Sequence, residues 1–154
     1  MTVAEIISLA YITIAITVGT LIYAILMHLK WRHLPAIGIG AALTYIIFAL
    51  LWEQAGWHLF FANMIASMSA AIYAEIMARV LKAPVAIYST PSIIPLVPGG
   101  SLYYTMAALM EGNQAEFVSR GTDTLMTALG LAVGIIAVSV IDVFLPRPGF
   151  KQKR

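Results

Sequence analysis

Long apolar stretches alternate with short polar turns along nearly the whole chain. A membrane-spanning helix needs roughly 20 apolar residues, and five stretches reach or approach that length, at residues 3–28, 34–52, 57–79, 84–110 and 122–145. The pattern predicts an all-α, polytopic bundle of about five transmembrane helices in a single domain, residues 1–154. A four-span arrangement is the alternative, because the second stretch is short and contains Gly38 and Gly40.

The composition excludes a water-soluble fold. Hydrophobic residues make up 61% of the chain and charged residues only 10%, whereas soluble domains carry about 25% charged residues. The net charge of +2 is spread over short clusters between the apolar stretches, while nucleic-acid binding needs a basic face or stripe. We therefore expect no nucleic-acid partner, and the lack of cysteine excludes disulfide and thiolate chemistry.

The basic residues predict how the helices are oriented in the membrane. Lys and Arg accumulate in cytoplasmic loops near helix ends, and eight of the nine basic residues fall in alternate turns of this chain. Arg120, in the polar turn at residues 111–121, is the exception. This distribution predicts an N-terminus outside the cell and a C-terminus in the cytoplasm.

The fourth stretch contains residues that interrupt a helix. Pro91, Pro95 and Pro98 lie in its interior, and the pair Gly99 and Gly100 follows. An interior proline costs about 3 kcal/mol in an ordinary helix, and glycine relaxes the backbone further. The spacing predicts a helix that is broken near the bilayer midplane, the depth at which discontinuous transporter helices hold their substrate. The alternative is a kinked structural helix whose neighbours satisfy the backbone.

A break at this point predicts a binding site for an acid group. If a second half-helix begins near Ser101, the amides of Gly100, Ser101 and Leu102 are free, at the positive end of a helix dipole. Such an end favours a carboxylate. The predicted substrate-binding residues are Pro95, Pro98, Gly99, Gly100, Ser101, Tyr103 and Tyr104.

Small residues recur in the third and fifth stretches. Ala66, Ala70 and Ala74 follow one another at a spacing of four and form a ridge that another helix can approach closely. Gly130 and Gly134 form a GxxxG pair. We predict that these residues pack helices together, and we consider them a candidate surface for a partner subunit.

Polar side chains accompany the ridge. Asn63, Ser67 and Glu75 share one side of the third stretch and are predicted to support the site. Glu75 fits either an i,i+4 pair with Arg79 or a proton or cation relay. Asp142, near the end of the fifth stretch, has the same two interpretations, a structural role or titration during transport.

No pattern in the chain indicates an enzyme, a metal site or a cofactor. His28, His33 and His58 lack the spacing of metal ligands. A phosphate-binding glycine loop, a nucleophile elbow and a zinc-protease motif are also missing from the sequence. We therefore expect transport rather than catalysis.

The fourth stretch resembles the threonine/serine exporter family. The resemblance rests on the motif Pro95-Leu-Val-Pro98-Gly99 followed by Tyr103, together with the chain length and the order of the apolar stretches. It implies a short membrane subunit equivalent to the C-terminal half of the full-length exporters, in the bacterial inner membrane. It also implies a second membrane subunit that carries the other half. A related two-subunit system is associated with dicarboxylate export, so threonine or serine and a dicarboxylate such as succinate are the alternative substrates.

The odd number of predicted spans agrees with a two-subunit assembly. Two homologous halves with an odd number of spans take opposite orientations, which is the inverted-repeat plan of many secondary transporters. The predicted partners are thus the second subunit, the lipid bilayer and a small carboxylate-bearing substrate, with a homo-oligomer left open. A non-transporting assembly or scaffold subunit is the alternative function.

Overall fold

Six α-helices make up most of the chain. The computed structural model describes residues 3–144 and, apart from residues 4 and 142–144, their side chains, so the prediction for the Asp142 side chain lies outside the described part. The helices are α1 (Val3–Leu26), α2 (Leu34–Ala49), α3 (Leu59–Leu81), α4 (Ala86–Ile93), α5 (Gly99–Met110) and α6 (Gln114–Phe144). Short 3-10 turns at Trp31–His33 and Ile94–Leu96 and a π turn at Leu50–Gln54 extend them.

The helices confirm a polytopic membrane bundle. Four segments are long and apolar enough to span a bilayer, namely Glu5–Leu26, Trp31–Gln54, Leu59–Leu81 and Gln114–Ile141. A fifth candidate span consists of Ala86–Leu96 and Gly99–Met110, which are bent by 45° at a short break. Residues 3–144 therefore contain four candidate spans, or five if the bent pair forms a single broken span.

The prolines cause the break. Pro98 has no N–H to donate to the Ile94 carbonyl, and the Val97 amide takes that acceptor at 3.1 Å. Val97 is then extended, with φ −66° and ψ 124°. Eight helical residues and a three-residue 3-10 turn precede the break, and twelve helical residues follow it. The interruption therefore lies close to the middle of this span.

The start of α6 differs from the prediction. The sequence places a polar turn at residues 111–121, but the helix already begins at Gln114. Asn113 precedes the first turn and accepts a hydrogen bond from the Glu116 amide at 3.2 Å, and Glu116 pairs with Arg120 at 2.8 Å. These local contacts stabilise two polar turns at the beginning of a helix of 31 residues.

Helix α3 packs most extensively on α6, and glycine permits the close approach. A methyl group at Gly130 would overlap the Phe60 carbonyl, and one at Gly134 would overlap the Met64 carbonyl and the Ser67 hydroxyl. The GxxxG face is therefore covered by α3 within this chain. A partner subunit cannot dock on it, which overturns that part of the sequence interpretation.

The Ala ridge of α3 is also buried inside the chain. Ala66, Ala70 and Ala74 are at most 1% exposed, and Ala74 belongs to a core cluster with Ala24 of α1 and Tyr88 of α4. The ridge thus packs the bundle itself and offers no free surface. Large apolar side chains remain exposed on the outer faces of α1, α5 and α6, as expected for contact with lipid or another membrane protein.

We expect the α3–α6 contact to tolerate no added atoms. Gly134→Ala should destabilise the protein by roughly 1–3 kcal/mol, because the methyl group meets backbone that cannot move aside. The measurement is thermal unfolding in detergent, followed by tryptophan fluorescence. Gly19→Ala is the matched control, since a methyl group at Gly19 has nothing within 4 Å. Equal unfolding temperatures for the two variants would contradict this account of the packing.

Candidate functional site

The break in the fourth span lines an open cleft of about 410 Å³. The cleft lies between the end of α2, the start of α3, the break with the first turns of α5, and the first part of α6. Its wall consists of Phe48, Trp52, Leu59, Asn63, Pro95, Leu96, Val97, Pro98, Gly100, Ser101, Tyr104, Arg120, Asp123 and Thr127.

Most of the residues predicted to bind substrate line this cleft. The structure brings Pro95, Pro98, Gly100, Ser101 and Tyr104 to its wall. Because these residues follow one another along the break, the non-helical backbone and the first turn of α5 form one continuous side of the cleft.

Two of the predicted binding residues do not line the cleft. Gly99 begins α5 but is absent from the wall, and the Tyr103 side chain is 69% exposed and also absent from the wall. Successive residues of a helix point about 100° apart, so Tyr104 can face the cleft while Tyr103 does not.

The three predicted polar supports are placed in different surroundings. Asn63 lines the cleft. Ser67 is buried one turn further along α3, where its hydroxyl donates to the Met64 carbonyl at 3.0 Å. Glu75 lies 3.8 Å from Arg79 towards the other end of α3, in the i,i+4 arrangement. Only Asn63 is thus in a position to contact a ligand in the cleft.

The first turn of α5 presents free backbone amides, although fewer than predicted. The helix begins at Gly99 rather than near Ser101, and the Leu102 amide donates to the Pro98 carbonyl at 3.0 Å. In the described part of the chain, the amides of Gly100 and Ser101 have no backbone acceptor. These two N–H groups lie at the positive end of the α5 dipole and can bind an anion.

Arg120 supplies a second positive group on the facing helix. Its Nε donates to Glu116 at 2.8 Å, and its guanidinium carbon lies 5.1 Å from the centre of the Tyr104 ring. These contacts hold the guanidinium at the cleft wall and use one of its five N–H donors. From the sequence, Arg120 was noted only as the one basic residue outside the predicted cytoplasmic turns. The spacing from Glu116 to Arg120, which is typical of a helix rather than a turn, could have identified it as a residue of α6.

Asp123 brings the opposite charge to the same wall. It lies one turn after Arg120 on α6 and is exposed. Its backbone carbonyl accepts a hydrogen bond at 2.8 Å from the hydroxyl of Thr127, the next residue of α6 that lines the cleft. The cleft therefore offers an acceptor for a cation as well as donors for an anion.

Asn63 has hydrogen-bonding capacity that the described residues do not use. Its side chain is 1% exposed, and its amide nitrogen donates to the Leu59 carbonyl at 2.9 Å. Its Oδ1 is buried and has no partner among residues 3–144. A buried, unsatisfied acceptor is rare in folded proteins, so a ligand or water is the expected partner for this oxygen.

Contacts between α5 and α6 fix the two sides of the cleft. The hydroxyls of Thr105 and Thr124 lie 3.3 Å apart, and a methyl group at Gly121 would be 3.5 Å from the Thr105 side chain. These residues flank Tyr104 and Arg120 in sequence, so the contact keeps the start of α5 beside the charged turn of α6. Within the described residues, no three His, Cys, Asp or Glu side chains are grouped so that they could hold a metal ion.

The family comparison covers the whole cleft. A family model described as Threonine/Serine exporter, ThrE, matches residues 12–141. That range includes every residue of the cleft wall. No curated protein and no solved structure matches the chain.

We expect Asn113 to stabilise the turn of α6 that carries Arg120. Asn113→Ala should lower the free energy of unfolding by about 1 kcal/mol, because the Glu116 amide loses its acceptor. Asn113→Ser should retain most of that stability, since a serine hydroxyl can serve as the cap. Denaturant unfolding monitored by circular dichroism measures the difference. Gln114→Ala, at the neighbouring helical position, is the control, and an equal loss in that variant would exclude a capping effect.

Proposed function

Because this chain belongs to the threonine/serine exporter family, we propose that it is the membrane subunit of a secondary exporter for small carboxylate-bearing metabolites, with threonine and serine as its substrates. The family is one of membrane transport proteins, and the chain has the apolar helices that such a protein needs. The choice of substrate, the direction of transport and the partner are parts of the proposal.

The arrangement of donors in the cleft carries this proposal. The Gly100 and Ser101 amides and the Arg120 guanidinium line the same cleft, and a carboxylate is a small group that can accept from both kinds of donor. Asn63 adds a buried acceptor at the same wall.

Asp123 favours an amino acid over a dicarboxylate. A zwitterion can direct its carboxylate to Arg120 and the α5 amides and its ammonium group to Asp123. A dicarboxylate would bring a second negative charge towards Asp123, and like charges repel. Export of a dicarboxylate is the alternative, and the variant Asp123→Asn tests it directly.

The partner subunit completes the proposal. We place the second membrane subunit, which carries the other half of the exporter, against the exposed faces of this chain, since the small-residue faces are already covered. The orientation with the N-terminus outside and the location in the bacterial inner membrane belong to the same proposal. If the chain is instead a scaffold that carries no substrate, filling the cleft should leave export unchanged.

Filling the cleft should abolish export. Gly100→Leu should reduce threonine efflux at least tenfold when this chain is co-expressed with its partner, because the side chain enters the cleft beside the free amides. The substitution should not disturb folding, since a Cβ at Gly100 has nothing within 4 Å.

Gly99→Leu is the matched control for this variant. It also adds its Cβ in open space, but Gly99 is not part of the cleft wall. Efflux of labelled threonine is measured from cells with equal amounts of each variant in the membrane. If efflux by Gly100→Leu equals that of the parent chain, the cleft is not the transport site and the scaffold function is favoured.

Removing the negative charge of the cleft should change its substrate. Asp123→Asn should raise the KM for threonine about 10- to 100-fold in proteoliposomes that contain both subunits, because a hydrogen bond to a charged group contributes about 1.5–3 kcal/mol. Inhibition of threonine efflux by succinate should become stronger in the same variant. Glu111→Gln, which removes an acid from the turn before α6 but not from the cleft, serves as the control. An unchanged KM for threonine would favour the dicarboxylate alternative.

A further inference from the structure

A second cleft, of about 430 Å³, lies between the turn after α1 and the turn after α3. Its wall is formed by His28, Leu29, Lys30, Arg32, His33, Leu81, Lys82, Ala83, Pro84 and Ile87. None of these residues lines the cleft at the broken span. The proposed transport site does not use them.

The wall of this second cleft is cationic. Lys30, Arg32 and Lys82 are exposed, and the wall contains no Asp or Glu. Among residues 3–144, these three side chains have no ion-pair partner, whereas Arg79 on the same helix end lies beside Glu75. Three positive charges around one cleft without a counter-charge attract anions to it.

Helices α1 and α3 end in the same way beside this cleft. His28 and Lys82 have left-handed backbone conformations, with φ 56° and φ 50°. In each case the amide of the next residue closes the helix end. The Leu29 amide donates to the Ala24 carbonyl, and the Ala83 amide donates to the Ala78 carbonyl, both at 3.1 Å. Glycine is the usual residue at such positions, because a side chain there costs roughly 1–2 kcal/mol. At Lys82 the cleft thus carries a basic side chain where the backbone alone would favour glycine.

The remaining lining residues are mostly apolar. They include Leu29, Leu81, Pro84 and Ile87. Nδ1 of His33, a buried lining residue, lies 2.6 Å from the hydroxyl of Tyr88, which is fully buried in the core. The cleft therefore combines basic and apolar lining residues.

We propose that this cleft binds the headgroup of an anionic phospholipid, with the phosphodiester between Lys30, Arg32 and Lys82 and the upper acyl chains along the apolar walls. Basic pockets between transmembrane helices bind such headgroups. Trp31, next to the cleft and 79% exposed, is suited to the interface level at which a headgroup lies. A soluble anion would use the charges but leave the apolar walls uncovered.

Lipid binding to the purified full chain tests the proposal. Native mass spectrometry in detergent, with phosphatidylglycerol or phosphatidylcholine added, should show a retained phosphatidylglycerol and weak binding of phosphatidylcholine. The triple variant Lys30→Gln/Arg32→Gln/Lys82→Gln should bind phosphatidylglycerol on the order of 100-fold more weakly, because each basic residue near a lipid surface contributes about fivefold.

Two further sets of variants keep the test decisive. Lys151→Gln/Lys153→Gln/Arg154→Gln removes the same charge from the C-terminal tail and should leave binding unchanged. If the triple cleft variant does not fold, Lys30→Gln and Lys82→Gln are measured singly, with about fivefold weakening expected of each, while Lys30→Arg and Lys82→Arg should retain binding. If the cleft and tail variants lose phosphatidylglycerol binding equally, binding depends only on net charge, and the proposal is overturned.

Competition experiments separate a lipid from other anions. Inorganic phosphate or threonine at millimolar concentration should not displace phosphatidylglycerol. Displacement by phosphate would identify a site for a free anion, and displacement by threonine would identify a substrate entrance. Either result would overturn the lipid assignment without changing the evidence for the cleft at the broken span.

Discussion

The interruption of the fourth span is the constraint on which the rest of the structure depends. A helix that breaks in a bilayer leaves backbone groups without partners, and hydrocarbon cannot satisfy them. The half that precedes the break is enclosed by other helices, since Tyr88, Pro91 and Ser92 are all buried. This enclosure requires α2 and α3 to lie close to α4, and Gly40, where a methyl group would overlap the Ser92 hydroxyl, permits that approach.

Much of the fold follows from patterns that are local in sequence. The apolar stretches predict the helices because the requirement for about 20 apolar residues acts on each segment separately. The prolines predict the break because a missing N–H removes a hydrogen bond wherever the helix lies. The start of α6 was not predicted, since a polar composition is compatible with both a turn and an exposed helix. There the cap at Asn113 and the pairing of Glu116 with Arg120 determine the outcome.

The candidate site was predicted at the break and at Asn63 of α3, but not at the residues of α6. The residues at the break are contiguous in sequence, so their proximity needs no tertiary information. Arg120 and Asp123 reach the same cleft through the α5–α6 hairpin, and that meeting depends on how the two helices pack. The small residues of α3 and α6 also show what sequence spacing leaves undetermined. Their spacing identifies a packing face, but only the tertiary structure identifies α6 of the same chain as the helix that covers Gly134.

The two halves of the broken span differ in how they are covered, and this difference bears on what must surround the molecule. Helix α5 packs mainly on α6, and its outer side chains, such as Tyr103 and Met106, are more than half exposed. Outer apolar side chains are compatible with lipid, but the Gly100 and Ser101 amides and the Arg120 charge are not. The open side of the cleft must therefore face water or another polypeptide. A water-filled cleft would meet this requirement, and so would the second membrane subunit that we propose.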